Sequence, residues 1–187
     1  MNDPDRPSAP RVELVSEVDG ELAELLANAL TIDGRPLNIF GVLAHQPKLL
    51  KRFNLMGGYL LNRGQVPDRE REIVILRVGW NARAVYEFGQ HTLIGREAGL
   101  TDAEIAGLAG APHAWSDEDA ALISLADDLC ARDCVSEATW TALTERWNEA
   151  ELVELVVCAG FYRLVSGFLN TFGVPLDDGV PGWPEAT

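Results

Sequence analysis

The stretch EIVILRVGWNARAVYEFGQH, residues 72–91, decides the reading of this chain. Its first half follows Pro67, Asp68 and Glu70, residues suited to a helix start because the positive end of the helix dipole favours negative charge, and runs through the apolar segment Ile73 to Val78. In its second half, at about 100° per residue, positions 84, 87, 91, 94 and 98 fall on one side of a helix, so Glu87 and His91 share a face with Ala84, Ile94 and Ala98. A stripe of that composition points inward. An ionisable pair on it is costly to desolvate, so it must pair with itself, find other partners or do chemistry. Between the halves, glycine followed closely by asparagine lowers helix preference, and a break or kink is expected from Gly79 to Ala82.

Outward from this stretch the pattern stays helical. An amphipathic segment runs from about Glu17 to Leu30, Thr31 to Pro36 is rich in turn residues, and further segments cover Leu37 to His45 and Lys48 to Asn62 with Pro47 in the first turn. Gly99 suits a left-handed C-cap, and Thr101 with Glu104 forms a capping box for a short helix ending near Gly110. Ser116 and Asp119 are cap candidates for a helix from Glu118 to Arg132, and Ser136 for one through Arg146. A long apolar helix spans Glu149 to about Phe172. No alternation at the strand period competes, so the expected class is all-α with about seven to nine helices. The organisation expected is a flexible tail over residues 1–12, one helical domain over 13–174 and an extended tail over 175–187, in which Trp183 docks rather than standing free in water. A weak internal echo relates the segment before Trp80 to the one before Tyr162.

The 187 residues, 47% of them hydrophobic, suffice for a folded core. The 29 acidic against 15 basic residues give a formal charge of −14, which repels phosphate backbones and anionic lipids. Nucleic acid and membrane partners are therefore not expected, and an anionic substrate would need a local basic cluster such as Arg77, Arg83 or Arg96. The polar, proline-rich first ten residues do not form a signal peptide, no apolar run of about 18 residues stands out as a membrane span, and a cytoplasmic location is expected. Cys130, Cys134 and Cys158 fit neither a disulfide framework nor a structural zinc site, and are read as reduced and structural. One His with nearby carboxylates does not make a metal site, and no metal or other cofactor is expected.

The residues Glu72, then Tyr86-Glu87-Phe88-Gly89-Gln90-His91, then Ala98 to Ile105 resemble the carboxymuconolactone decarboxylase and alkylhydroperoxidase D-like family. The resemblance implies a compact helical bundle that assembles into trimers or hexamers. Peroxidase members carry Glu-x11-Cys-x2-Cys-x3-His, a proton relay serving a redox dithiol. Here the spacing is kept as Glu72-x11-Ala84-x2-Glu87-x3-His91 with both sulfurs absent, so the dithiol mechanism is unavailable at this site. Decarboxylase members act on a lactone acid, whose loss of CO2 leaves a dienolate to be reprotonated.

The resemblance and the residues together point to acid/base chemistry, decarboxylation or isomerisation, on a small carbonyl or lactone acid. His91, with an unperturbed pKa of ~6.5, is the expected acid/base. Glu87 is expected to hold its ring or exchange a proton, and Glu72 to relay or balance charge. Arg83, one turn before Glu87, and Trp80, at the break, are candidate substrate contacts. Tyr86 is read as packing, His45 as a cap of helix-end carbonyls, and His113 as solvated. Two alternatives remain open: a peroxidase-like oxidoreductase in which Cys130 and Cys134 approach His91, and a non-catalytic oligomeric protein that binds a small molecule or serves in stress.

Overall fold

A computed structural model describes residues 6–7, 9–15, 19–27, 29, 31–32 and 35–184. The expected N-terminal tail, first helix, following turn and C-terminal tail lie in part outside the described residues. Among those residues there are nine α-helices and one two-residue antiparallel ladder, so the all-α class is observed. The chain divides into two compact units, residues 1–63 with 168–180, and residues 64–167 with 181–187.

The first unit contains α1 (Gly20–Ala27), the ladder of β1 (Thr31–Ile32) with β2 (Arg35–Pro36), α2 (Asn38–Leu43) and α3 (Pro47–Asn62). The segment read as a plain turn thus pairs Thr31 with Pro36 and Ile32 with Arg35. Helix α2 opens on Leu37, which has no side chain able to cap. The return segment supplies the cap: Asp177 accepts the Asn38 backbone N–H at 2.9 Å, and the Asn38 amide donates to Pro175 O at 3.1 Å. A carboxylate is well placed there because the first N–H groups of a helix have no internal acceptor. His45, expected to cap helix-end carbonyls, instead places Nε2 2.9 Å from the Glu13 carbonyl oxygen.

The second unit is built around α4 (Asp68–Asn81). Ile73, Val74, Ile75, Leu76 and Val78 are all fully buried, so this helix is enclosed all round rather than amphipathic. It packs against α5 (Val85–Glu97), α6 (Asp102–Leu108) and α7 (Asp117–Arg132); α8 (Glu137–Thr144) and α9 (Glu149–Phe172) follow. The caps read from sequence are present. Thr101 and Glu104 form the capping box of α6, while Ser116 and Ser136 accept the backbone N–H three residues on. Asp119, a second cap candidate, instead takes the guanidinium of Arg69, which also reaches Glu104.

Helix α9 corrects one sequence expectation, because its mean hydropathy of 1.7 over a span-length window meets the criterion for crossing a membrane. Half of that window is buried in the protein. In the second unit Leu152, Glu154, Leu155, Cys158, Ala159, Tyr162, Val165 and Ser166 form its buried face, as in a core helix. Glu154 on that face accepts the backbone N–H groups of Gln65 and Val66 at 2.8 and 3.0 Å, which fixes the turn leading into α4. A Cβ on Gly64 would run into the same carboxylate.

Replacing Glu154 by Ala leaves both N–H groups without their acceptor. Loss of a charged acceptor for two backbone donors costs about 2–4 kcal/mol. Urea unfolding of Glu154→Ala should show that loss, whereas a change under about 0.5 kcal/mol would mean that water replaces the carboxylate freely.

Candidate functional site

The two helices of the motif are joined by a tight reversal. The Ala84 N–H donates to Gly79 O at 2.8 Å and the Arg83 N–H to Trp80 O at 3.0 Å, the paired bonds of a Schellman ending, with Arg83 at φ 53°. The break therefore lies at Ala82 and Arg83, three and four residues beyond Gly79, which remains inside α4. Gly79 has a different use: a Cβ there would already be in van der Waals contact with the Glu87 side chain and the Phe88 backbone, so α5 passes close to α4 at this point. Helix α5 ends in the same kind of bond pair, with Gly99 at φ 98°. Arginine in the left-handed region carries a strain that glycine avoids, about 1–2 kcal/mol.

The reversal brings Glu72 of α4 against Glu87 and His91 of α5. All three are buried, Glu72 completely. His91 Nδ1 lies 2.6 Å from Glu72 Oε2, and Nε2 lies 3.4 Å from Glu87 Oε1. A carboxylate only accepts, so the proton in the short contact sits on Nδ1. The other oxygen of Glu72 accepts from Arg71 Nε at 3.0 Å, and Arg71 also donates to Asp68 at 2.6 Å. On the His91 ring stands Tyr162 of α9, edge to face, with centroids 4.8 Å apart and planes at 84°.

These contacts set the protonation of the site. Burial pushes the Glu87 carboxyl up to about 7 from its ordinary 4.5; the charge of His91 opposes the rise and that of Glu72 adds to it. For His91, burial favours the neutral ring, but the charge and hydrogen bond of Glu72, with the charge of Glu87, raise its pKa above 6.5 against a push from Arg71. Burial, then the charges of Glu87, Cys158 and Glu72, hold the Tyr162 phenol well above its usual value and keep it neutral.

The sequence reading gave the ring-holding role to Glu87 and ranked Glu72 third; the short contact belongs to Glu72. Two participants were missed. Arg71 carries no spacing signal of its own, yet it is 5% exposed and salt-bridged to Glu72. Its signal was its place beside a buried acid. Tyr162 is distant in sequence, and only the echo with Trp80 singled it out.

Arg83 and Trp80 lie at the reversal itself. The Arg83 guanidinium carbon is 4.4 Å from the centre of the Trp80 ring, and the Arg83 side chain is exposed. Trp80 also meets Trp183 of the C-terminal segment at 5.1 Å, and Trp183 meets Phe88 at 5.2 Å, so this tail residue docks on the motif helices. Of the other basic candidates, Arg77 is taken up by Asp127 and Arg96 by Asp102. His113 is exposed and packs on Trp115.

Cys130 does not join the site: its electrostatic neighbours are Arg163, Asn81, Asp127 and Arg77. Cys134 is exposed, with its thiol on the Val135 carbonyl. The thiol that feels Glu72, Arg71 and Glu87 is Cys158, and burial raises its pKa strongly. Among the described residues no group of three or more His, Cys, Asp or Glu side chains is arranged to hold a metal ion. Glu72 and Glu87 address different nitrogens of one ring and do not converge on a point.

Residues 47–127, which include the whole motif, match the carboxymuconolactone decarboxylase family. Among solved structures, an uncharacterized peroxidase-related protein with an alkylhydroperoxidase AhpD core from Ralstonia eutropha JMP134 is similar with a TM-score of 0.70 at 22% identity, covering 78% of this chain and 80% of that one. An uncharacterized peroxidase-related protein from Silicibacter sp. TM1040 is similar with a TM-score of 0.81 at 14% identity, covering 94% of this chain and 96% of that one. At these identities the likeness is one of fold. No curated protein matches the chain.

The raised pKa values fix the sign of a pH effect. Glu87 binds its proton more tightly when folded, so its ionisation costs nothing below 4.5 and costs progressively more as pH rises to about 7. His91 contributes stability below 6.5 that is lost as pH rises through its higher folded value. Both lower stability as pH increases through neutrality. Glu87→Gln removes the first effect and should gain roughly 1–3 kcal/mol over the parent at pH 8.5 relative to pH 5, by chemical unfolding at both pH values. A difference independent of pH would show that Glu87 ionises as freely when folded as when unfolded.

Proposed function

We propose that this member of the carboxymuconolactone decarboxylase family is an enzyme that moves protons at a small carbonyl or lactone acid, by decarboxylation or isomerisation. The observation that carries this reading is the buried Glu72–His91–Glu87 chain, with the His91 imidazole between two carboxylates. Glu72, anchored by Arg71, holds the Nδ1 proton and stabilises the imidazolium. Nε2 and the Glu87 carboxyl then form the exchanging end. A carboxyl at about 7 can both give and take a proton near neutral pH, the property that reprotonation of an enolate requires.

Arg83 and Trp80 are the proposed substrate contacts. A non-glycine side chain kept at positive φ at the end of α4 is a strained choice that a functional guanidinium would explain. An arginine over an aromatic face presents a positive charge suited to a carboxylate in a chain whose net charge opposes anions. The thiol peroxidase reading is disfavoured, because Ala84 and Glu87 occupy the dithiol positions and the thiol of Cys158 is buried and hard to ionise. A non-catalytic binding protein remains the rival class.

A homo-oligomer is part of this proposal. Val153, Val157 and Leu164 form one exposed apolar face of α9. Leu164→Glu should lower the assembly mass in sedimentation; an unchanged mass would place the interface elsewhere.

The catalytic test is a screen of lactone and keto acids in D2O followed by NMR, with product formation or exchange of protons next to the carbonyl as the readout. His91→Gln and Glu87→Gln should each lower the rate by roughly 10²–10⁴-fold. Binding without conversion by the parent, retained in His91→Gln, would move the binding-protein reading ahead.

A further inference from the structure

The two nitrogens of His91 are held from opposite directions, Nδ1 by Glu72 at 2.6 Å and Nε2 by Glu87 at 3.4 Å. The Cβ–Cγ bond lets the imidazole turn about χ2, and of the two contacts only the short one at Nδ1 resists that turn strongly, since 3.4 Å to Glu87 is a weak hold. A contact against the ring itself resists it further. Tyr162 makes it, with its ring at 84° to the imidazole and 4.8 Å away. We infer that Tyr162 is the positioning residue that locks the plane of the His91 imidazole, so that Nδ1 stays on Glu72 while Nε2 stays turned to Glu87.

The surroundings of Tyr162 support this role. It is 4% exposed, and Cys158 one turn before it and Ser166 one turn after it are also buried. Ala159, next on the same face, is small as well. Tyr162 also meets the ring of the neighbouring Phe161 at 5.4 Å, and it is the large side chain on the buried face between Leu155 and Val165, where its ring meets His91 of α5. The inward pattern of α9 from Leu155 to Val165 fixes its azimuth in the same way that the α4–α5 reversal fixes that of His91. An edge-to-face pair has a preferred angle, which a branched aliphatic side chain of similar bulk lacks.

The charged groups that bear on the His91 titration are Glu72 and Arg71 from α4 and Glu87 from α5, while Cys158 and Tyr162 of α9 lie near the same carboxylates. Among these, Tyr162 and Cys158 carry no charge near neutral pH, so replacing the tyrosine changes ring geometry without changing the charge of the site. This role rests on the acid/base reading of the site, and the test separates the two.

The test is NMR titration of the His91 imidazole in the parent, Tyr162→Phe, Tyr162→Leu and Glu72→Gln. Tyr162→Phe keeps the aromatic contact and should leave the His91 pKa within about 0.3 unit of the parent, while Tyr162→Leu frees the ring and should lower it toward 6.5 by about half a unit or more. The Nδ1 proton resonance should stay sharp in the Phe variant and broaden in the Leu variant. If the Leu variant behaves like the parent, or if the Phe variant loses as much as the Leu variant, the positioning role of the ring is overturned. Should Tyr162→Leu fail to fold, cross-relaxation between the His91 and Tyr162 ring protons in the parent decides, and its absence overturns the proposal. Failure of the acid/base reading looks different: His91 in the parent would then titrate as a free imidazole and ignore Glu72→Gln. A shift with Glu72→Gln but none with Tyr162→Leu would remove the positioning role alone.

Discussion

A carboxylate with no exposure to water is the constraint around which the second unit is organised. Glu72 is fully buried among the apolar residues of α4, where an isolated charge would cost several kcal/mol. Both of its oxygens are engaged, one by the Arg71 guanidinium and the other by His91. The pairing is of the charge-assisted kind that can offset desolvation when lone pairs are filled. It also ties the position of α5 to that of α4, because the imidazole must come within hydrogen-bond reach of one particular oxygen. Glu154 repeats the solution on α9, with two backbone N–H groups in place of Arg and His.

The consequence for chemistry is an asymmetry between the acids. Glu72 is surrounded by donors, whereas Glu87 faces His91 at a longer distance and is otherwise dominated by burial, which pushes its carboxyl to about 7. Its place in the first turn of α5 is one where the helix dipole favours the anion, yet desolvation outweighs that help. Two carboxylates on one ring thus serve as a fixed anchor and a group that can change its proton.

The reversal between α4 and α5 links the buried chain to the surface. It uses the Schellman bond pattern, but with Arg83 where glycine is the easier residue. The same few residues place Trp80 under the Arg83 guanidinium and against Trp183, which also packs on Phe88 of α5. Buried ionisable groups inside and a cationic, aromatic surface at the joint come from one local backbone event.

Much of this was legible in the chain. The helical class follows from periodicity and from caps such as Thr101 with Glu104 and Ser116, because these are local signals that depend on residues a turn apart. The inward face shared by Glu87 and His91 follows from helical spacing, and the involvement of Glu72 from the family spacing. The partners of each charge were not legible. Arg71 is adjacent to Glu72, but a sequence does not show that α4 becomes enclosed from Arg71 onward. The span-like α9 likewise needed its partners to be seen as a core helix. Which carboxylate takes Nδ1, and the arrival of Tyr162 at the ring from 71 positions further along, depend on distances between helices. Spacing along one helix fixes direction about its own axis, and only packing of three helices fixes which atoms meet.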